Sequence, residues 1–293
     1  EKVMTSIVYP TTNLKHIEQL NIVRGDGVYV YDDSGREYLE GLAGLWCASL
    51  GYGNSELIEA ITDQLKTLSY SHMFGGRTHN VVIQLAEQLS DMLPVKNSKI
   101  FFANSGSEAN DSHIKMLRYY FNVTGEPQKK KIIALERSYH GVTVASAALT
   151  GLPANHTHFD LPVDALGVIR AESPHYYRGR KDNETEREFC ERIIGNLEDL
   201  ILRENPETIA AFVAEPIGGA SGVVVAPENY FPEVENLLTK YDIMLWSDEV
   251  ICGFGRTGSP FGCQTMGFNP QLVSLAKQLS SAYLPISASV IPE

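Results

Sequence analysis

Five short apolar runs constrain this chain more than any other feature. Ile100-Phe101-Phe102-Ala103, Ile132-Ile133-Ala134-Leu135, Ala210-Ala211-Phe212-Val213-Ala214, Ile243-Met244-Leu245-Trp246 and Leu272-Val273-Ser274-Leu275 show no clear in-out alternation. Runs of that kind suit strands covered on both faces. Between several of them lie helical spacings: Ala109 to Phe121, Phe189 through Ile193, Leu197 and Ile201, and Val234 through Leu238 to Tyr241. The alternation predicts an α/β fold with a mainly parallel sheet and helices on both faces. It also places a ligand site at the carboxyl ends of the strands. A chain of 293 residues is long enough to bury such a core.

Upstream the pattern differs. Val28-Tyr29-Val30-Tyr31, the turn residues Asp32-Asp33-Ser34-Gly35 and then Glu37-Tyr38-Leu39 read as a hairpin in a small peripheral sheet. Leu57, Ile58, Ile61, Leu65 and Leu68 fall at helical spacing, as do Val82, Leu85, Ala86, Leu89 and Leu93 before Pro94. The charge-rich stretch from Tyr176 to Glu188 reads as an exposed excursion.

Composition excludes some partners. A net charge of -12 argues against a general affinity for nucleic acid or anionic membrane. The basic cluster Lys129-Lys130-Lys131 reads as a solvated turn before a strand. No apolar run reaches the ~18 residues of a membrane span. The polar start Glu1-Lys2-Val3 does not resemble a signal peptide, so a cytoplasmic protein is expected. Cys47, Cys190, Cys252 and Cys263 are widely spaced without a CxxC or Cys/His pattern, which suits reduced thiols better than a disulfide frame or a metal site.

The chemistry is carried by three separated elements. Lys277 follows the last apolar run and Asp248 follows the fourth. An amine so placed can hold a carbonyl compound as a Schiff base, and an upstream buried carboxylate can hold a pyridinium proton. Alone, the lysine would be a solvated charge and the aspartate a strand-end cap. The third element, Ala103-Asn104-Ser105-Gly106-Ser107-Glu108-Ala109-Asn110, runs from strand through turn into helix. A helix opening there presents free N–H groups and its positive dipole end to an anion, with Gly106 allowing close approach. The plainer alternative is that Ser107 caps the helix. The three elements together suggest pyridoxal phosphate.

Gly253-Phe254-Gly255-Arg256-Thr257-Gly258 fits the GxGxxG pattern of dinucleotide binding. Its context does not fit, because Ser259-Pro260-Phe261-Gly262 stands where a helix should open and Gln278 stands where an acid is needed. The segment reads instead as a turn placing Arg256 near the rim of the site.

Seven motifs in order carry a family resemblance: Gly44-Leu45-Trp46-Cys47, Asn104 to Asn110, Ser138-Tyr139-His140-Gly141, Leu149-Thr150-Gly151-Leu152-Pro153, Ala214-Glu215-Pro216, Ser247 to Gly258, and Leu275-Ala276-Lys277. The chain resembles the class III, or omega, pyridoxal-phosphate aminotransferases of fold type I along nearly all its length. The resemblance implies that residues 1–60 are the N-terminal part of a smaller α+β domain and that 61–293 form the large cofactor domain. It implies that Lys277 holds the cofactor and moves the proton, and that Asp248 pairs with the pyridine nitrogen. Ser105, Gly106 and Ser107 would hold the phosphate, Tyr139 and Val250 would flank the ring, Glu215 would line the cleft and Trp46 would shape the substrate pocket. His140 has no catalytic role in this reading.

The expected reaction moves an amino group from an amine or omega-amino acid to an oxo acid such as pyruvate, in a homodimer. An aminomutase or decarboxylase on the same fold, a nicotinamide oxidoreductase and a non-catalytic fragment are the alternatives. The chain departs from the family pattern after Ser289-Val290-Ile291-Pro292-Glu293, where members continue with a return to the small domain. That segment supplies a threonine to the neighbouring subunit's phosphate site and an arginine to the substrate carboxylate.

Overall fold

The first 40 residues supply the expected hairpin as part of an antiparallel sheet, β1 (Ile22–Asp26), β2 (Tyr29–Asp32) and β3 (Glu37–Leu39). Asp32 builds its turn, Oδ1 accepting from the N–H of Ser34 at 2.9 Å and of Arg36 at 3.0 Å, as aspartate does when it leads a turn. The structure is a computed structural model that describes residues 6–13, 15 and 17–293. The polar start Glu1-Lys2-Val3 lies outside the described residues.

The main sheet follows. Its strands are β4 (Lys99–Ala103), β5 (Lys131–Leu135), β6 (Val168–Ala171) and β7 (Ile209–Ala214). After a two-stranded ribbon, β8 (Ile217–Gly218) and β9 (Val224–Val225), it continues with β10 (Met244–Asp248), β11 (Leu272–Leu275) and β12 (Ser287–Ile291). The order is β4-β12-β11-β10-β7-β5-β6, and β12 alone runs against its neighbours.

Alternate strand residues point to opposite faces, and each face has its own helical cover. Ile133, Leu135, Phe212, Leu245 and Val273 pack with Leu89, Phe189 and Phe231, from the helices Asn80–Met92, Glu186–Glu204 and Tyr230–Lys240. Ile132, Ala134, Val213, Trp246 and Leu272 pack with Ile114, Leu117 and Leu149, from the helices Gly106–Val123 and Val144–Leu149. That two-sided burial is why the runs lack alternation. Each fully buried leucine, isoleucine or phenylalanine contributes roughly 1.5–3 kcal/mol of transfer free energy.

Two strands escape the apolar-run criterion. In β6, Arg170 interrupts the pattern, yet its guanidinium donates to the carbonyls of Ala148, Leu149 and Thr150 at the end of the helix Val144–Leu149. A helix C-terminus leaves carbonyls free and favours a cation there. In β12, Ser287 and Ser289 are fully buried, and Ser289 Oγ donates to the Ala109 carbonyl at 2.9 Å.

One expectation is corrected. Lys129 is not a solvated turn residue: it is buried, and its ammonium donates to the Asp242 carbonyl at 2.8 Å and pairs with the Asp242 carboxylate. Lys131 opens β5 and donates to the carbonyl and carboxylate of Glu204 at 2.8 and 2.9 Å. The stretch from Tyr176 to Glu188 is the exposed excursion expected, and it is pinned at its base. Arg192 gathers Glu184 at 2.6 Å, Glu172 at 3.2 Å and the Gly179 carbonyl at 2.9 Å, and Tyr176 packs on Phe189.

Candidate active site

The strand ends converge on one cavity. Asn104 follows β4, Tyr139 follows β5, Glu215 follows β7, Asp248 ends β10 and Lys277 follows β11. Parallel strands bring their carboxyl ends to one edge of the sheet, so residues far apart in sequence meet there. Trp46, Ser105, Gly106, Ser107, Tyr139, Glu215, Asp248, Val250 and Lys277 all line a cavity of about 690 Å³. Every residue expected to hold the cofactor or shape the substrate pocket is therefore in this one place.

At one end lies the first turn of the helix Gly106–Val123. The helix cap is Ser105, not Ser107: its Oγ accepts from the Glu108 N–H at 3.2 Å, and the Glu108 carboxylate accepts from the Asn104 N–H at 3.0 Å. Ser107 therefore stands inside the first turn, its Oγ accepting from Val142 N at 3.0 Å and its own proton free to be donated. Gly106 is needed for packing as well as for approach, because a Cβ there would meet Val250 Cγ2 at 3.0 Å. Gly141 is needed more strictly. Its φ is +137°, and a Cβ would stand 2.5 Å from Ser107 Oγ.

Asp248 is buried at the cavity wall, 3% exposed, so the cavity is where its remaining acceptor capacity can be used. It lies two residues beyond Trp246 and so on the same sheet face, toward the helix Gly106–Val123. There its Oδ2 accepts from His140 Nδ1–H at 2.8 Å and from Asn110 Nδ2 at 3.0 Å, while Oδ1 accepts from Val250 N–H at 3.1 Å. Asn110 Nδ2 also donates to the His140 carbonyl at 2.6 Å. His140 and Asn110 are functional neighbours that the sequence reading missed. Asn110 sits one helical turn beyond Gly106 on the same face, a spacing that could have flagged it.

Glu215 is a brace. One oxygen accepts from Tyr139 N–H at 2.9 Å and the other from Gly219 N–H at 2.9 Å, tying the loop after β5 to the loop after β7. Burial raises its carboxyl to about 7, with His140 and the two N–H groups opposing the rise and Asp248 adding to it. A carboxyl with a raised folded-state value is held protonated by folding. Between pH 4.5 and about 7 the folded chain binds more protons than the unfolded one, so stability falls as pH rises through that window. The fall is at most about 3 kcal/mol. Glu215→Gln, uncharged throughout, is expected to flatten this part of the profile, measured by denaturant unfolding at several pH values. Parallel profiles for the two proteins would mean that Glu215 stays ionised in the fold.

Lys277 is half-buried, and burial lowers its ammonium below the usual lysine range. Its Nζ donates to the Leu45 carbonyl at 3.2 Å. The segment holding that carbonyl is a left-handed turn, with φ of 50°, 60°, 75° and 61° at Ala43, Gly44, Leu45 and Trp46. Such a turn in three non-glycine residues is costly, roughly 1–2 kcal/mol each. It carries Trp46 to the cavity rather than to the core. Tyr139, half-buried, likewise belongs to the cavity wall.

The GxGxxG segment is a turn, as expected. Where a dinucleotide fold would offer a helix N-terminus, the short helix Gly262–Thr265 has its first N–H groups taken by Glu249, at 2.8 Å from Gly262 N and 2.7 Å from Cys263 N. No seat for a pyrophosphate is left there. Arg256 lines a neighbouring cavity of about 360 Å³ with Glu40, Tyr52 and Gln278, outside the main one. Among the described residues no cluster of metal ligands occurs, no helix is long and apolar enough to cross a membrane, and the four cysteines are unpaired.

Comparison with known proteins agrees with the geometry. A family model described as aminotransferase class-III matches residues 11–293. The chain is 51% identical over 276 residues to gamma aminobutyrate transaminase 3, chloroplastic, of Solanum lycopersicum, covering 94% of this chain and 53% of that protein. It is 50% identical to vanillin aminotransferase of Capsicum chinense, covering 94% of this chain and 60% of that one. A crystal structure of the omega transaminase from Pseudomonas jessenii in complex with PMP superposes with a TM-score of 0.95 at 49% identity, over 98% of this chain and 64% of that one. The chain thus spans between about half and two thirds of the length of these relatives.

Proposed function

We propose that this chain, which belongs to the class-III aminotransferase family, carries the cofactor core of an enzyme that moves an amino group from an amine or omega-amino acid to an oxo acid. The observation that carries this reading is the meeting of a burial-shifted amine, a buried carboxylate and a helix N-terminus in one cavity. Those groups fit pyridoxal phosphate. The helix turn and Ser107 suit its phosphate, Asp248 suits a protonated ring nitrogen, and Lys277 suits its aldehyde carbon. When bound, pyridoxal phosphate supplies a ring that takes up the electrons released at the substrate carbon bearing nitrogen.

The residues divide the remaining work. The N–H groups of Gly106 and Ser107 and the Ser107 hydroxyl bind the anion. Asp248, held by His140, Asn110 and the Val250 N–H, keeps a proton on the ring nitrogen. Tyr139 and Val250 enclose the ring, Trp46 bounds the substrate, and Glu215 keeps Tyr139 in place. Lys277 Nζ, its basicity reduced by burial, would be the base that takes up and releases the proton beside the bound cofactor.

The division proposed at residue 60 separates the N-terminal three-stranded sheet from the seven-stranded sheet, with residue 60 itself inside the helix Ser55–Thr67. A second copy of the chain is the proposed partner. The helix Ser55–Thr67 buries no residue, and Ile58, Leu65, Met73 and Phe74 are each at least 47% exposed, a run that a twin subunit would cover. Light scattering of the full-length protein should give a dimer, and a monomer would remove this part of the reading.

The activity is tested by incubating the full-length protein with amine donors and pyruvate. Alanine should accumulate only with pyridoxal phosphate present. Carbon dioxide release would show a decarboxylase, amine migration without an acceptor an aminomutase, and no reaction would sink the proposal. Ser107→Ala is expected to weaken cofactor retention by roughly 1.5–3 kcal/mol, the loss of a hydrogen bond to a charged group. It also removes the acceptor for Val142 N–H, so the melting temperature should fall slightly. Unchanged cofactor affinity in equilibrium dialysis would take Ser107 out of the anion site.

A further inference from the structure

Lys277 stands at φ +49°, a left-handed conformation that a lysine does not hold by itself. Something around it must impose that backbone. The next side chain is held from two directions: Gln278 Nε2 donates to the Gly253 carbonyl at 3.2 Å, and Gln278 Oε1 accepts from Ser49 Oγ. Those partners lie 25 and 229 residues away in sequence, on the turn after β10 and on the loop that follows the left-handed turn at Trp46. Lys277 lines the 690 Å³ cavity while Gln278 lines the 360 Å³ one, so the peptide between them is part of the partition.

We propose that Gln278 is a positioning residue for Lys277, its carboxamide clamping the partition so that the lysine keeps the left-handed backbone from which Nζ enters the cofactor cavity. This rests on the reading that Lys277 holds the cofactor. An alanine at 278 removes both hydrogen bonds and lets the backbone of Lys277 relax to negative φ, turning the amine away. An amine held a small distance out of place reacts more slowly even when all groups remain present.

The test separates attachment from binding. In attachment, Lys277 nitrogen bonds to the cofactor's aldehyde carbon and the aldehyde oxygen leaves as water. In the full-length protein stripped of cofactor, the rate of attachment is followed by absorbance, with borohydride trapping and peptide mass locating it at Lys277. Noncovalent affinity is measured in a Lys277→Ala background with and without the change at 278. Gln278→Ala should slow attachment by about tenfold, with noncovalent affinity unchanged and the melting temperature only slightly lowered by the two lost hydrogen bonds. Gln278→Glu keeps the Ser49 acceptor and loses the Gly253 donor, so it should fall between. Attachment at the unaltered rate in Gln278→Ala overturns the proposal. So does an equal loss of noncovalent affinity, which would mark a merely structural residue. Should the alanine variant not fold, an unaltered rate in Gln278→Glu overturns it. Absence of attachment at Lys277 in the parent protein would instead overturn the functional reading, and this inference with it.

Discussion

Lys277→Ala should lose amino transfer by about four orders of magnitude, the upper range for removing a positioned proton-transfer group. No other side chain among the cavity residues is an amine. Noncovalent cofactor binding should survive, because the N–H groups at Gly106, the Ser107 hydroxyl and the Asp248 carboxylate do not depend on the lysine for their positions. The parent protein should be yellow and bleach with borohydride, leaving the label on Lys277; the variant should bind cofactor without acquiring a label. Burial lowers the Lys277 ammonium, so the neutral amine is present at lower pH than in an ordinary lysine. The attachment rate in the parent should therefore rise with pH and level off below the usual lysine range. Turnover by the alanine variant would remove Lys277 from the mechanism.

Asp248→Asn should lower turnover by roughly 10² to 10⁴-fold, the equivalent of about 3–5 kcal/mol for taking one partner from a buried charge pair. The amide oxygen can still accept from His140 and Asn110, which both donate to Oδ2 in the parent. The fold should therefore persist. The amide nitrogen would then face the Val250 N–H in place of Oδ1, a mismatch worth about 1–3 kcal/mol of stability. A thermal melt and a turnover assay on the same preparation separate the two effects. Near-normal turnover would show that the ring nitrogen needs no carboxylate from this residue, whereas a collapse of the fold without a specific activity loss would make Asp248 a structural residue.

The sequence alone determined the architecture's outline and the membership of the site. Both are local matters. The lack of alternation in Ile132-Ile133-Ala134-Leu135 already says that both faces are covered, and the site residues other than Trp46 lie at the end of a strand, in the loop after it or at the opening of a helix. Since parallel strands end at one edge, motif order along the chain becomes proximity in space. The tertiary structure decided which groups touch. Asp248 meets Asn110 across 138 residues and His140 across 108, and only the packing of the β10 end against the helix Gly106–Val123 and the loop after β5 makes those pairs. Whether Ser105 or Ser107 caps that helix depends on backbone dihedrals that both serines can adopt in sequence. Lys129 looked solvated because its partner Asp242 lies 113 residues on, and β12 escaped the apolar-run criterion because buried serines interrupt it, Ser289 donating to the Ala109 carbonyl of the helix beneath. The left-handed backbone of Lys277 belongs to the same class: φ at a lysine is not written in its neighbours, and the adjacent Gln278 side chain meets Ser49 and Gly253, 229 and 25 residues away.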